Sequence, residues 1–163
     1  MIYVGCDQAL QTTGYSVWSD GELKVYGTFK TKATDPIEKR LGTIWQELDK
    51  LMEQWDFDHL FFEDCQKQQN VETFKKLCYV HAAILLWCYW KNVPYTILSP
   101  SHWRSILKDK YNKSFGKARA EQKKAAQELV EKMCGVNVSS DEADAICIGV
   151  AGMLEHKKNE SAF

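Results

Sequence analysis

The chain has 163 residues, 45% of them apolar and 12% aromatic, which is enough to bury a core in one domain and excludes a disordered segment. Its net charge of -1 excludes a chain that is strongly basic or acidic as a whole. Cys6, Cys65, Cys78, Cys88, Cys134 and Cys147 form no CxxC pair and fall mostly within apolar runs, which excludes a disulfide framework and a zinc site and fits reduced thiols in a cytoplasmic protein.

The chain opens on IYVGCD, Ile2 to Asp7, an apolar run that reads as a buried strand delivering Asp7 at its C-terminal end, with no leader segment before it. Tyr15 and Val17, then Leu23, Val25, Tyr26 and Phe29 beyond a Ser-Asp-Gly turn, predict two more strands and so an antiparallel meander. Asp35-Pro36 reads as an N-cap and first helical residue, followed at helical spacing by Ile37, Leu41, Ile44, Trp45, Leu48 and Leu51. His59 to Asp64, HLFFED, repeats the theme of an apolar strand ending in carboxylates.

Asn70 caps a predicted helix from Val71 to about Lys91, with Phe74, Leu77, Cys78, His81, Ile84, Leu85 and Cys88 on its buried stripe. Trp87, Tyr89 and Trp90 lie partly off that stripe, so the end of this helix calls for a second cover, from a loop or from another subunit. Its longest apolar run, Ala82 to Trp90, is too short to span a membrane. A strand over Val93 to Leu98, a short helix from Ser99-Pro-Ser101 through Leu107, a loop over Lys108 to Lys117 and a helix from Ala118 to Cys134 follow. Ser139 with Glu142 forms a capping-box pattern that starts the last helix, whose body is Ala143, Ile146, Ile148, Val150, Ala151 and Leu154. The end of the chain, Lys157 to Phe163, reads as frayed.

Charge is unevenly distributed along this order. Acidic residues predominate from Asp35 to Asp64 and basic ones from Arg104 to Lys124, so the near-neutral total conceals a basic stripe of the kind a phosphate backbone attracts. Asp141 and Asp144 stand three apart on one face of the last helix's first turn, where two like charges beside a buried surface need a compensating cation. Acids in a first turn also complement the helix dipole, so this pair alone does not decide the matter. If the first and fourth strands are neighbours, Asp7 and Glu63 emerge side by side and the last helix brings Asp141 and Asp144 over them. Four carboxylates from such distant positions suit a pair of divalent ions about 3.5–4 Å apart, and oxygen-only ligation favours Mg²⁺ or Mn²⁺ over Zn²⁺.

The order GCD(x6)GYSVW, FFEDCQKQQN, GKARAEQKKAA and SSDEADAICIGVA resembles the RuvC family of Holliday-junction resolvases over nearly the whole chain. The resemblance implies one RNase H-like domain over 1–163, an α/β fold with a mixed five-stranded sheet, an antiparallel meander plus parallel strands, flanked by helices. It further implies a Mg²⁺-dependent endonuclease that binds two ions through Asp7, Glu63, Asp141 and Asp144, with Mn²⁺ able to substitute. Lys117, Arg119, Lys123 and Lys124 would grip phosphates near the cut, with Lys113 and Lys67 extending the contact. Such resolvases act as homodimers on branched DNA, four-way junctions above all, and the resemblance places this chain in the cytoplasm of a bacterium or a phage-infected host. It leaves open whether a branch-migration motor is a partner.

Two departures point to a divergent, bacteriophage-type member: Gln8-Ala9 replaces the usual proline-glycine after the first aspartate, and Gln66 replaces a frequent aromatic tied to opening bases. Three other readings remain: an RNase H-like nuclease acting on RNA/DNA hybrids or flaps, a non-catalytic junction-binding protein, and a phosphotransferase of the sugar-kinase type, for which the chain is about half the needed length.

Overall fold

A computed structural model describes residues 1–160. The strands and helices run in the order β1 (Ile2–Asp7), β2 (Thr12–Ser19), β3 (Glu22–Lys30), α1 (Ile37–Trp55), β4 (His59–Glu63), α2 (Val71–Lys91), β5 (Tyr95–Leu98), α3 (Pro100–Tyr111), α4 (Arg119–Cys134) and α5 (Ser140–Glu160). The sheet order is β3-β2-β1-β4-β5, with β1–β2 and β2–β3 antiparallel and β1–β4 and β4–β5 parallel. The expected meander and parallel strands are thus both present. Asp20 and Gly21 turn β2 into β3 with φ of 55° and 82°, the left-handed pair that a two-residue hairpin requires.

Strand alternation divides the core in two. Val4, Cys6, Val17, Leu60 and Phe62 face α1 and α2, where Ile44, Leu48, Val80, Ile84 and Trp87 are buried with them. Tyr3, Trp18 and Phe61 face the other way, into a cluster with Trp103, Leu107, Leu129, Ile146 and Ile148 from α3, α4 and α5. By the same parity Asp7 and Glu63 belong to the α5 side and Asp64 to the opposite one.

α5 lies directly on the strand backbones. A Cβ on Gly5 would collide with the Ala145 carbonyl oxygen and the Gly149 backbone, one on Gly14 with the Asp141 carbonyl, and one on Gly152 with the Phe61 ring. Glycine is required at these positions by close approach. Ser16 Oγ donates to the Ala145 carbonyl at 2.9 Å and accepts from Trp18 Nε1 at 3.0 Å, so a buried polar pair fixes the register of helix on sheet.

Several boundaries differ from those the sequence predicts. Pro36 itself occupies the N-cap of α1 and Asp35 pairs with Lys39 at 3.1 Å, because the helical geometry begins one residue later, at Ile37. β5 begins at Tyr95, after Val93 and Pro94, since proline offers no N–H to a ladder. α3 extends past Leu107 to Tyr111, with Lys108 and Lys110 in its last turn, so the expected loop from Lys108 begins only at Asn112, which terminates the helix at φ 51°. On α2 the buried residues are Val80, Ile84, Trp87 and Cys88, and Phe74, Leu77, Cys78, His81 and Leu85 are only half-buried. Trp87 needs no second cover: it is fully buried against Phe57, and its Nε1 donates to Asp49 at 2.8 Å. The expected frayed end is helical from Lys157 to Glu160, and Ser161, Ala162 and Phe163 lie outside the described residues.

Gly5→Ala tests the seating of α5. The three atoms it would strike are all backbone, so relief requires lifting the helix; the expected loss is about 2 kcal/mol, a fall in thermal midpoint of about 4–8 °C in calorimetry.

Candidate functional site

The pairing of β1 with β4 runs to Cys6 opposite Phe62, so the next residues, Asp7 and Glu63, end adjacent parallel strands side by side. Across β1, Asp7 is paired with Gly14, over whose missing side chain the first turn of α5 descends. That turn starts where the capping box predicts: Glu142 N–H donates to Ser139 Oγ at 3.3 Å and Ser139 N–H to Glu142 Oε2 at 2.8 Å. Glu142 is therefore occupied as a cap. Asp141 and Asp144 are left to face the strand ends.

All four carboxylates line one cavity of about 380 Å³. Its wall also carries Gln8, Thr12, Gln66, Gln68, Arg104, Lys117, Arg119, Gln122 and Lys123. Of the predicted basic contacts, the structure thus brings Lys117, Arg119 and Lys123 to the acids. It does not bring Lys113 and Lys124 there: both pair with Glu128, at 2.5 and 3.9 Å, on the outer side of α4. Lys67 is exposed on the segment between β4 and α2. A second, open groove of about 520 Å³ continues from the first through Gln66, Arg104 and Gln122 to Lys108 and Ser114.

The electrostatics show how closely the acids are set. Burial, then the charges of Asp144, Glu63 and Asp141, push the Asp7 carboxyl well above its ordinary range, opposed by Lys123. Burial and the Glu63 charge push Asp144 up to about 7, with Arg104 and Lys123 opposing. Glu63 is raised chiefly by burial, against the Trp103 hydrogen bond, Arg104 and Arg119. Among the described residues no three such side chains close around a single ion as they stand. Asp141 is turned to Lys123 Nζ at 3.6 Å, which also donates to Ser140 Oγ at 3.1 Å, and Glu63 Oε1 accepts from Trp103 Nε1 at 2.8 Å.

Three residues of this site are not singled out by the sequence. Gln8 reads only as a departure from a family pattern, Trp103 only as part of a short helix, and Arg104 as one end of a basic stripe. Arg104 lies over the Trp103 ring at 4.4 Å, and its Nε is buried without a partner among the described residues. The signal that could have found it is its position after a buried Trp at the start of α3, which turns the next side chain toward the end of β4.

Comparison with known proteins bears on the family and the fold. The family described as crossover junction endodeoxyribonuclease RuvC matches residues 3–152. RuvC of Thermomicrobium roseum is 28% identical over 156 residues, covering 92% of this chain and 91% of that protein. RuvC of Orientia tsutsugamushi is 24% identical, covering 96% and 98%. Among solved structures, Thermus thermophilus RuvC in complex with Holliday junction substrate superposes with a TM-score of 0.80 at 17% identity, over 97% of this chain and 96% of that one. Fowlpox virus resolvase in complex with Holliday junction DNA superposes at 0.62 and 11% identity, over 96% and 99%. The fold is the RNase H-like one that the sequence leads us to expect.

The raised carboxyls fix the sign of a pH effect. A group protonated more readily in the folded than in the unfolded chain adds stability below its unfolded value, about 4, and that stability is lost as pH rises through the folded value. With chelator present, the protein is therefore expected to lose stability as pH rises from about 4 through about 7, where Asp144 ionises. Asp144→Asn is expected to stabilise by roughly 1–3 kcal/mol at about pH 8 and by almost nothing near pH 4, measured as thermal midpoints across the range.

Proposed function

Because the chain belongs to the RuvC family of crossover junction endodeoxyribonucleases, we propose that it resolves four-way DNA junctions by symmetric, metal-dependent hydrolysis of two phosphodiesters. The observation that carries this reading is the convergence of Asp7, Glu63, Asp141 and Asp144 on one cavity walled by Arg104, Lys117, Arg119 and Lys123. Carboxylates held close enough to raise one another's affinity for protons are placed to exchange those protons for a divalent cation. The donor set is all oxygen, which fits Mg²⁺ or Mn²⁺, held by these four residues once Asp141 swings from Lys123. When bound, a pair of such ions supplies activation of water and stabilisation of the leaving oxygen.

The chain's own cations do the rest. Lys123, relieved of Asp141, and Arg119 are placed to meet the phosphate being cut, and Lys117 stands at the same rim. Arg104, with a buried unpaired Nε, offers a planar fork to a neighbouring phosphate, and Lys108 continues the track along the second groove. Lys113, Lys124 and Lys67 are outer contacts that act by general attraction to the DNA arms; the first two are first to be freed from Glu128. No helix among the described residues is long and apolar enough to cross a membrane.

A homodimer supplies the two cuts. Tyr79, Leu86, Tyr89 and Trp90 are exposed on α2, at 48%, 62%, 80% and 76%, and Tyr95 and Ile97 are exposed on the edge strand β5. An apolar surface of this size is costly in water and fits a second copy of the chain, with the two active sites on the faces away from the contact. Leu86→Glu with Trp90→Glu is expected to halve the mass seen in light scattering and to convert paired cutting into single nicks.

The reading is tested with a synthetic four-way junction, a linear duplex of the same arm sequence and an RNA/DNA hybrid, each with Mg²⁺ and with chelator. Paired, Mg²⁺-dependent nicks on the junction alone are expected, with cleavage lowered more than about 100-fold in Glu63→Gln while junction binding persists. Equal cutting of duplex and junction overturns junction selectivity. Preference for the hybrid assigns the site to RNA, and binding without cutting makes the chain a junction-binding protein.

A further inference from the structure

Glu63 is held differently from the other three acids. The strand ladder between β1 and β4 stops at Cys6 and Phe62, and beyond it the side chain of Gln8 takes the place of a strand backbone. Gln8 Oε1 accepts from the Glu63 N–H at 3.1 Å and Gln8 Nε2 donates to the Glu63 carbonyl. One carboxamide thus satisfies both main-chain groups of one residue, a two-point contact that fixes the position of the Glu63 Cα relative to Asp7, the residue before Gln8. Proline, the residue usual at this position in the family, has no side-chain group that could make either bond.

The carboxylate of Glu63 is fixed from the other direction. Trp103 is fully buried, packed edge-on to Phe115 at 5.5 Å and covered by the Arg104 guanidinium at 4.4 Å, so its ring has no freedom to rotate. Its Nε1–H donates to Glu63 Oε1 at 2.8 Å. One lone pair of Oε1 is used, and the second, with both lone pairs of Oε2, is left directed to the cavity. Both donors to Glu63 are neutral. They orient the group without cancelling its charge, whereas Asp141 has an ammonium ion competing for the place of a metal.

From this geometry we infer that Gln8 and Trp103 are positioning residues that set Glu63 as a preformed divalent-metal ligand, Gln8 through its peptide groups and Trp103 through its carboxylate. The inference rests on the reading that Glu63 binds metal. It makes Glu63 the fixed member of the set and Asp141 the one that moves on binding. A ligand fixed in advance spends no binding energy on being ordered, so loss of either support weakens metal affinity before it affects the fold.

The test is Mn²⁺ binding to the DNA-free protein by titration calorimetry, on wild type, Gln8→Ala, Trp103→Phe and Glu63→Gln, with thermal midpoints in chelator as the control for folding. Trp103→Phe keeps a buried ring and removes the donor together with part of the ring volume; Gln8→Ala leaves the core untouched, so at least the second is expected to fold as wild type does. Each is expected to bind Mn²⁺ about 10- to 100-fold more weakly, with junction cleavage restored toward the wild-type rate by raising Mn²⁺. Ile44→Val, a core change far from the site, is expected to lower the midpoint and leave Mn²⁺ affinity alone. Wild-type Mn²⁺ affinity in folded Gln8→Ala and Trp103→Phe, with Glu63→Gln weakened, overturns the inference and keeps the metal reading. Wild-type affinity in Glu63→Gln overturns the metal reading of Glu63 itself.

Discussion

The contact on which the rest of the structure depends is that of α5 with the backbones of β1 and β2. Helices ordinarily stand off a sheet by the depth of two side chains. Here Gly5, Gly14 and Gly149 remove that layer, and a helix carbonyl, that of Ala145, takes a hydrogen bond from Ser16 inside the sheet. The gain is position. The first turn of α5 comes down beside Asp7, so two acids on a helix and two on strand ends share one cavity although the helix pair lies 78 or more positions beyond either strand end. Apolar burial on both sides of the sheet holds this arrangement in place, and the raised carboxyls of Asp7 and Asp144 reflect that burial first and the charges of the neighbouring acids second.

The same geometry explains why the basic residues divide as they do. α3 and α4 pack on α5 and carry Arg104, Arg119 and Lys123 to the rim, where each lowers the cost of a neighbouring negative charge. On the other side of α4, Lys113 and Lys124 share the single carboxylate of Glu128. A basic stripe in sequence is thus folded into two kinds of cation, one kind facing the carboxylates of the cavity and another held in surface pairs. Surface pairs of this sort contribute little stability and are readily exchanged for phosphate.

Much of this was legible in the sequence because it rests on local pattern. Apolar runs ending in acids located Asp7 and Glu63, and a capping box located the start of the helix that presents Asp141 and Asp144. Strand parity then places all four on one face once the sheet order is known. What could not be read depends on contacts across the fold. Trp103 and Ile106 look alike as apolar residues on a short helix, and only the end of β4 shows that the indole N–H has a carboxylate to meet. Gln8 is one residue from Asp7, yet its role lies in the backbone of a residue 55 positions away. Trp87 looked surplus to its helix because its partner, Asp49, sits on another one. The end of α3 is hard to read because three charged residues, Lys108, Asp109 and Lys110, separate Leu107 from Tyr111, the partly buried residue that continues its packed face.

The two layers of the molecule are thereby given to different tasks. The α5 side holds the acids and their cations, and the aromatic residues there, Trp18, Trp103 and Phe115, are consumed in packing and in orienting polar groups. The α2 side buries its own Trp87 against Phe57 and leaves Tyr89 and Trp90 outside. Had these aromatics been on the α5 side they would have covered the cavity. Had the acids been on the α2 side, their repulsion would have fallen at the apolar surface now open to association. The sheet between them keeps a pocket lined by carboxylates and cations apart from an apolar face, so each can be exposed without weakening the other. That separation leaves one small domain with a carboxylate-lined cavity on one side of its sheet and exposed aromatic side chains on the other.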